Sequence, residues 1–463
     1  MALLTVRQKD ILEYLGLGCT NQEIARYLGL SVNTVKTHLA ALFRQLDVGN
    51  RTEAVHRYRQ LHGETPKVRH EELKTLLVLV PVEAPAGLLD SARLLEDSVA
   101  MLLTNGRRLE LRRGGDVPVR EDAYRLVGRM HSTGDGPLVS LCLHAVSDRV
   151  VWAQSFDVSS SDIRGTGALV ATTLQVELVR LEATRISMRP EGERSAWECA
   201  VLGLHLIAIR SQRCCEAAIA AFAKALERDP HQHLAHHGMA LAYGISLLEH
   251  WKENADWVRA NVEVHAHACD QIDPDASDTL MAMAVMRLVQ GQFGAALVLL
   301  RESVRADPCR LAAQDLLAHV LVLAGEVEQA VQCLDRIDAL SGSLPSRYSR
   351  TAARALACYA QARYEEVAVI CGEGRIHGEG LLPRLLLVAA LAMGGDLGAA
   401  QRSVENLAHR PLEFFLSGLG GILGYIDPGL GRRLGEGLGK VGLTLSGEFG
   451  SPVRAMGRGI LPQ

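Results

Sequence analysis

Residues 20–46 read TNQEIARYLGLSVNTVKTHLAALFRQL, and this stretch decides the fold of the first part of the chain. Thr20 with Glu23 pairs an N-cap side chain with an acceptor three residues on, as do Thr5 with Gln8 before it and Asn50 with Glu53 after it. Ser31 is a further helix start and opens the segment Val32 to Leu46. These signals predict four short helices in roughly 60 residues. Val35, Leu39, Leu42 and Leu46 recur at spacings of 4, 3 and 4, one face of a helix that can pack on Ile11, Leu12, Leu15, Ile24 and Leu28. The opposite face carries Lys36, Thr37, Ala40 and Arg44. Only Gly29-Leu30-Ser31 separates the second helix from the third. A short glycine-containing turn of this kind sets two helices at a steep angle and lets the second enter a major groove.

Leu4-Thr5-Val6-Arg7, Thr20-Asn21-Gln22-Glu23-Ile24-Ala25, Leu30 to Leu39 and Asn50-Arg51-Thr52-Glu53-Ala54-Val55 together resemble the LuxR/GerE-type DNA-binding domain, without a gap. The resemblance implies a helix-turn-helix bound to double-stranded DNA over residues 1–63. It places Lys36 and Thr37 where the recognition helix reaches base edges, with Ala40 at a base-facing position that often holds a longer or polar side chain. Thr20, Gln22, Ser31, Asn33 and Thr34 lie at helix N-termini that suit phosphate, and Arg44 extends that set. Residues 52–60 match the helix through which members of the family form dimers. The competing reading of these residues is a helical protein-interaction module whose basic side chains are a solvated face.

Charge agrees with the DNA reading. The formal net charge of −4 comes from 49 basic and 53 acidic residues, but residues 1–63 hold 8 basic against 5 acidic. A basic end therefore sits on an acidic body, which discourages nonspecific DNA adhesion elsewhere. Hydrophobic residues are 48% of the chain and aromatics only 4%, so the core is one of Leu, Val and Ala, which favours packed helices. The apolar runs Leu76–Val82 and Leu385–Met393 fall far short of a membrane span, and the first residues lack a secretory pattern. A cytoplasmic protein is expected. Ten cysteines without a C-x-x-C pair read as small buried hydrophobes.

Gly63-Glu64-Thr65-Pro66 breaks the helical pattern, and residues 64–74 read as a linker. Residues 75–190 read as a small α/β domain: a strand at Leu76–Val82, a helix at Leu89–Asn105, an alternating segment at Arg107–Arg113, strands at Tyr124–His131, Leu138–Ala145 and Val150–Val158, and a helix from Ile163 to Ile186. Tyr124 to Met130, Gly134-Asp135 and Val150 to Asp157 resemble the TolB-like or FlgO-like region of bacterial regulators. Only Gly114 to Ala123 separates the second and third strands, which implies a trimmed version. Trp152 and Phe156 read as core, and Arg107, Arg108, Arg112 and Arg113 as the charges of an edge strand.

Over residues 195–410, Gly291-Gln292-Phe293, Gly325-Glu326-Val327, Ala362-Arg363-Tyr364 and Gly395-Asp396-Leu397 recur at intervals of 34, 37 and 33, followed three residues on by Ala296, Ala330, Val367 and Ala400. The period is that of tetratricopeptide repeats. Five or six helix pairs are expected, one of them hidden around Trp251 and Trp257. The array reads as an α-solenoid offering a surface to a protein partner or to the chain's own domains, apolar but for scattered groups such as Arg287 and Arg384. His231, His233, His236, His237, His265, His267 and Cys269 invite a metal, but no set at known ligand spacing is complete, so none is expected.

No cofactor, metal or catalytic motif is predicted. Gly437-Leu438-Gly439-Lys440-Val441 lacks the upstream glycine and the hydroxyl of a phosphate-binding loop. Residues 411–463 read as a Gly-rich segment, disordered from about Gly447. The sequence thus predicts a mainly α multidomain protein: a four-helix helix-turn-helix, a small α/β domain and a solenoid. The expected function is dimeric, sequence-specific transcriptional regulation under control of an effector or partner. The alternative is a repeat scaffold that uses the helix-turn-helix to dimerise.

Overall fold

The computed structural model describes residues 8, 11, 21, 24, 25, 30–46 and 48, and then 74–106, 108–114, 123–134, 136–158, 162–249, 251, 254–341, 348–372, 381–407 and 428–444. By internal contacts the chain divides into two units, Met1–Lys74 and Thr75–Gln463.

In the first unit helix α1 spans Val32–Leu46, and Gln8, Ile11, Asn21, Ile24 and Ala25 are also helical. The apolar stripe read from the sequence is the core: Val35, Leu39 and Leu42 are buried with Ile11, Ile24 and Ala25, while Leu30, Val32, Phe43 and Val48 pack around them. Two bonds reaching five residues back, Leu30 N–H to Ala25 C=O (2.8 Å) and Val48 N–H to Phe43 C=O (3.0 Å), have the form that closes a helix C-terminus over an apolar contact. Leu12, Leu15, Leu28, the caps at Thr5, Thr20 and Asn50, the side chain of Leu46, and residues 52–60 lie outside the described residues.

The second unit opens with a five-stranded sheet: β1 (Thr75–Leu79), β2 (Leu109–Arg113), β3 (Ala123–Thr133), β4 (Gly136–Ala145) and β5 (Val150–Asp157), in the order β2-β1-β3-β4-β5. β1 is parallel to both its neighbours, and β3, β4 and β5 form an antiparallel meander. β1 is buried along its whole length, as its unbroken apolar run requires, and it ends before Pro81, which has no N–H to give to a ladder. Helices α2 (Leu89–Asn105) and α3 (Ile163–Ser187) build a core with Leu77, Tyr124, Leu126, Met130, Leu141 and Phe156. Phe156 is buried and Trp152 packs partly buried beside it, their ring centroids 6.3 Å apart.

Helix α3 carries the chain from the sheet into the helical array. The Tyr124 hydroxyl donates to the buried Glu182 (2.7 Å), and Arg185 bridges Glu182 (2.9 Å) and Glu198 (3.1 Å). Glu198 also completes the capping box with Ser195 that starts the next helix. Among the described residues six helix pairs follow: α4 (Ala196–Ile207) with α5 (Gln212–Arg228), α6 (His233–Leu248) with α7 (Ala255–Ile272), α8 (Ser277–Val289) with α9 (Phe293–Ala306), α10 (Leu311–Leu323) with α11 (Val327–Ser341), α12 (Tyr348–Ala360) with α13 (Tyr364–Cys371), and α14 (Leu382–Met393) with α15 (Leu397–Glu405). First helices of successive pairs touch at α4 with α6, α6 with α8, α10 with α12 and α12 with α14. The pair hidden around Trp251 and Trp257 is α6 with α7.

The recurring turn explains why the repeat could be read. Gly291, Gly325 and Gly395 sit at φ of 73, 81 and 92°, and at the equivalent position Ala362 is held at 59°. Only glycine takes this left-handed conformation without steric cost. Ala362→Gly should therefore stabilise the unit, by roughly 0.5–1 kcal/mol after the entropy lost to the unfolded chain, and Gly325→Ala should cost about as much. Denaturant titration of both variants checks the sign, and a loss of stability in Ala362→Gly would contradict it.

The Gly-rich segment departs from expectation in part. Residues Pro428–Gly439 form α16, which docks on α14 through Leu430, Leu434 and Leu438, all fully buried. Its glycines permit close packing: a Cβ on Gly437 would lie 2.9 Å from the Ala389 carbonyl oxygen and 3.0 Å from the Tyr359 hydroxyl. The stretch compared above with a phosphate-binding loop is the end of this helix. Residues from 445 on lie outside the described residues.

Candidate nucleic-acid interface

Helix α1 is built with two faces. Opposite its buried stripe, Asn33, Lys36, Thr37, Ala40 and Arg44 are exposed, and Asn33, Thr37, Ala40 and Arg44 follow one another at spacings of 4, 3 and 4. Asn33, assigned to phosphate from the sequence, thus shares a stripe with Thr37 and Ala40. An exposed amide on that stripe has a donor and acceptor pair that can meet an adenine edge as well as a phosphate.

At the start of α1 the Ser31 hydroxyl accepts from the Thr34 N–H (3.0 Å) and contacts the Thr34 hydroxyl (2.8 Å). The Ser31 carbonyl accepts from Val35 N–H (3.1 Å). The Val32 and Asn33 N–H groups of the first turn have no acceptor within the helix, and that turn carries no acidic residue, so its positive end suits an anion. Thr37 donates its hydroxyl to the Asn33 carbonyl (2.9 Å), which presents its lone pairs and methyl outward. Arg44 donates through Nε to the Ala40 carbonyl (3.3 Å), which leaves the outer guanidinium nitrogens for phosphate. Ala40 offers only a methyl, a surface for the thymine methyl group and not for a hydrogen bond. Thr20 and Gln22 lie outside the described residues.

The other candidate residues fall in the second unit, and there the sequence reading needs correction. β2 is an edge strand whose Arg112 pairs with Glu110 (2.6 Å) and whose Arg113 pairs with Asp97 (2.7 Å), but Arg108 is no surface charge. It grips Asp278 at the start of α8 with Nε and Nη2 at 3.0–3.1 Å, and Arg310 donates to the same carboxylate from the turn before α10. Asp278 is 7% exposed and Arg310 7%, so the array is not as apolar as its composition suggested. The Arg108 guanidinium holds the Asp278 carboxyl below its usual range against the opposing effect of burial.

Of the histidines weighed for a metal, His237 is a buried strut, while His233, His236 and His265 are partly exposed and His231 and His267 exposed. His237, fully buried, donates from Nδ1 to the Asp278 carbonyl (2.8 Å) and accepts at Nε2 from Arg310 (3.2 Å), a neutral tautomer. Burial pushes its pKa down to about 4. Nε2 of His233 contacts the Thr279 hydroxyl (2.7 Å), and His236 and His265 meet through Nδ1 at 2.9 Å. Among the described residues no group of three or more His, Cys, Asp or Glu side chains is placed to hold a metal ion. Cys215 is buried with its thiol against the Ala242 carbonyl (3.5 Å), a packing role. No helix among the described residues is long and apolar enough to cross a membrane.

Residues 2–58 match the family model described as "Bacterial regulatory proteins, luxR family". The same segment is similar to the CsgBAC operon transcriptional regulatory protein of Escherichia coli and the probable csgAB operon transcriptional regulatory protein of Salmonella typhimurium, each 59% identical over 54 residues, 12% of this chain and 25% of the relative. It is also 45% identical over 56 residues to the monoamine regulon transcriptional regulator of Klebsiella aerogenes, again 12% of this chain and 25% of the relative. The chain thus spans about a quarter of the length of the curated relatives it matches, and a LuxR-family domain stands at its N-terminus.

Proposed function

We propose that this protein is a sequence-specific DNA-binding transcriptional regulator whose second unit controls or positions its first. One observation carries the reading: the exposed stripe of α1, with a basic residue beside it and an unneutralised N-terminus, lies within the segment that matches the luxR family. In this reading α1 enters the major groove. Lys36 and Thr37 meet base edges, with Asn33 beside them and Ala40 against a methyl group, while Ser31, Thr34, Arg44, Thr20 and Gln22 hold phosphates. Two copies bind a pseudo-palindrome, joined near the DNA through residues 52–60. The work is done in the cytoplasm and involves no catalysis.

The second unit is read as a TolB-like domain followed by tetratricopeptide-like repeats. The left-handed turn positions at the repeat interval and the contacts between successive first helices support this. Helix α3 already lies against α11, and the Cys309 thiol meets the Ala168 carbonyl (3.8 Å), so part of the array serves the chain's own α/β domain. A protein partner would take the remaining surface.

The test is selection of binding sites from random duplex DNA with the full chain, followed by titration of Lys36→Ala on the selected site. Loss of Lys36 should weaken specific binding by about 1–3 kcal/mol, relax discrimination at the base it meets, and reduce the dependence on salt only slightly. Arg44→Ala should instead weaken all sequences alike and flatten the salt dependence by about one ion. Recovery of no common sequence, with Lys36→Ala equal to the parent, would overturn the reading and favour the repeat scaffold.

A further inference from the structure

We propose that the outer edge of β5 pairs with β5 of a second copy of this chain, in a two-fold antiparallel ladder centred on Ser155. The inference concerns the second unit and does not rest on DNA binding.

The two edges of the sheet are unlike. β2 carries Glu110, Arg112 and Arg113 in five residues, the kind of charge that keeps an edge from pairing. β5 reads VVWAQSFD, with no proline and no charge before its last residue, and Ala153, Ser155 and Asp157 are exposed. Among the described residues no strand pairs with its outer side.

The hydrogen-bond pattern fixes which groups are open. Val158 N–H donates to the Pro137 carbonyl (2.8 Å), which brackets Leu138 with Asp157 as a non-hydrogen-bonded pair. By alternation Ser140 with Ser155 and Cys142 with Ala153 are also non-hydrogen-bonded pairs. The N–H and C=O groups of Ala153, Ser155 and Asp157 therefore point away from β4; the Asp157 carbonyl accepts from the Thr166 hydroxyl of α3 (3.4 Å), which leaves both groups of Ala153 and Ser155 and the N–H of Asp157 open. The irregularity in this pairing sits at Leu143/His144, so the strand is regular from Trp152 to Asp157.

A second copy centred on Ser155 uses all three open residues: Ser155 faces Ser155, and each Ala153 faces an Asp157. That arrangement forms about four main-chain bonds without calling on the Asp157 carbonyls that Thr166 already uses. Centring on Ala153 instead would bring the irregular end of the strand opposite Ser155, and a one-residue slip would turn inward-pointing groups toward the partner. No like charges meet, because Asp157 lies beside an alanine. The Ser140 and Ser155 hydroxyls are already 2.9 Å apart, so the second copy would extend them into a row of four across the axis, a favourable cross-strand pairing. The self-complementarity of this strand is what selects a second copy over an unrelated peptide.

Ser155→Pro tests the ladder directly. It removes an N–H that β4 does not use and is tolerated at a sheet edge, so the monomer fold should persist, with an unchanged circular dichroism spectrum as the check. Sedimentation equilibrium of the full chain should show dimers that dissociate on the order of tenfold or more readily in Ser155→Pro. Independently, Ser155→Cys should give a covalent dimer under mild oxidation, since residues of a hydrogen-bonded pair lie about 5.5 Å apart between Cα atoms, within disulfide reach. Asp157→Cys, whose copies would lie roughly 13 Å apart, should give no more covalent dimer than the oxidised parent. A parent that stays monomeric, a Ser155→Pro dimer as tight as the parent's, or equal cross-linking of the two cysteine variants would each overturn the proposal. Lys36→Ala should dimerise like the parent, which separates a failure here from a failure of the DNA reading.

Discussion

Replacing Asp278 with Asn is expected to lower the stability of the second unit by about 3–5 kcal/mol, the cost of leaving buried charges without their counter-ion. The carboxylate stands between Arg108 of the α/β domain and Arg310 of the array, and His237 is fixed to its backbone. Asparagine fills the same space but leaves two guanidinium groups facing a neutral amide. The expected signature in urea is specific. In the parent the sheet and the array, tied at this point and through Glu182, Arg185 and Glu198, should unfold in one transition. In Asp278→Asn the sheet should come away first, so that strand and helix signals no longer coincide. A double-mutant cycle between Arg108→Met and Asp278→Asn should show coupling above about 1 kcal/mol. Replacing all three charged groups by apolar residues of similar volume should recover much of the loss, because the desolvation cost disappears with the pair. An Asp278→Asn protein with the parent's unfolding midpoint would show that the pair contributes nothing to holding the two parts together.

That junction marks the limit of what the sequence could reveal. The buried stripe of α1 and the strand and helix positions of the α/β domain were legible because they are local periodicities, set by neighbours three or four residues away. The repeat turns were legible through the recurrence of Gly291, Gly325 and Gly395, and through Ala362 only by alignment with them. Arg108 and Asp278 are 170 residues apart. Nothing local distinguishes this arginine from Arg112 or Arg113, which are surface charges, so all four arginines of the segment read alike. Helix α16 was missed for a different reason: glycine weakens the helix signal, although Leu430, Leu434 and Leu438 carry the spacing of a buried face. On α1 the exposed stripe was legible, while a residue in the first turn of a helix, such as Asn33, can serve phosphate or base according to how the helix docks.

The same junction holds a second carboxylate in the opposite condition, and this yields the other large effect. Asp307, 1% exposed, accepts from Cys309 N–H (3.1 Å) and is approached by the Gln175 amide (3.5 Å), and Arg108, which grips Asp278, acts on it only as a more distant charge. Burial raises its pKa to about 6, and the Asp278 charge adds to the rise. Between the unfolded value near 4 and this folded value the native state binds the extra proton, so Asp307 lowers stability as pH rises through that window. Above pH 7 its ionised form costs up to about 3 kcal/mol. Asn cannot ionise yet keeps an oxygen for Cys309 N–H. Asp307→Asn should therefore match the parent near pH 4 and exceed it increasingly toward pH 7, where the difference levels off. His237 has the opposite sign. Its pKa falls from about 6.5 to about 4, so the unfolded chain binds the proton in that interval and stability rises with pH across it. His237→Gln minus the parent should thus slope downward over the range in which Asp307→Asn minus the parent slopes upward. Subtracting the parent's curve removes the titrating groups that interact with neither side chain from both comparisons. Denaturant titrations at half-unit steps from pH 4 to 8 measure the two differences. An Asp307→Asn protein that is less stable than the parent at pH 8, or displaced from it equally at every pH, would mean that the buried carboxylate is satisfied in its ionised form after all.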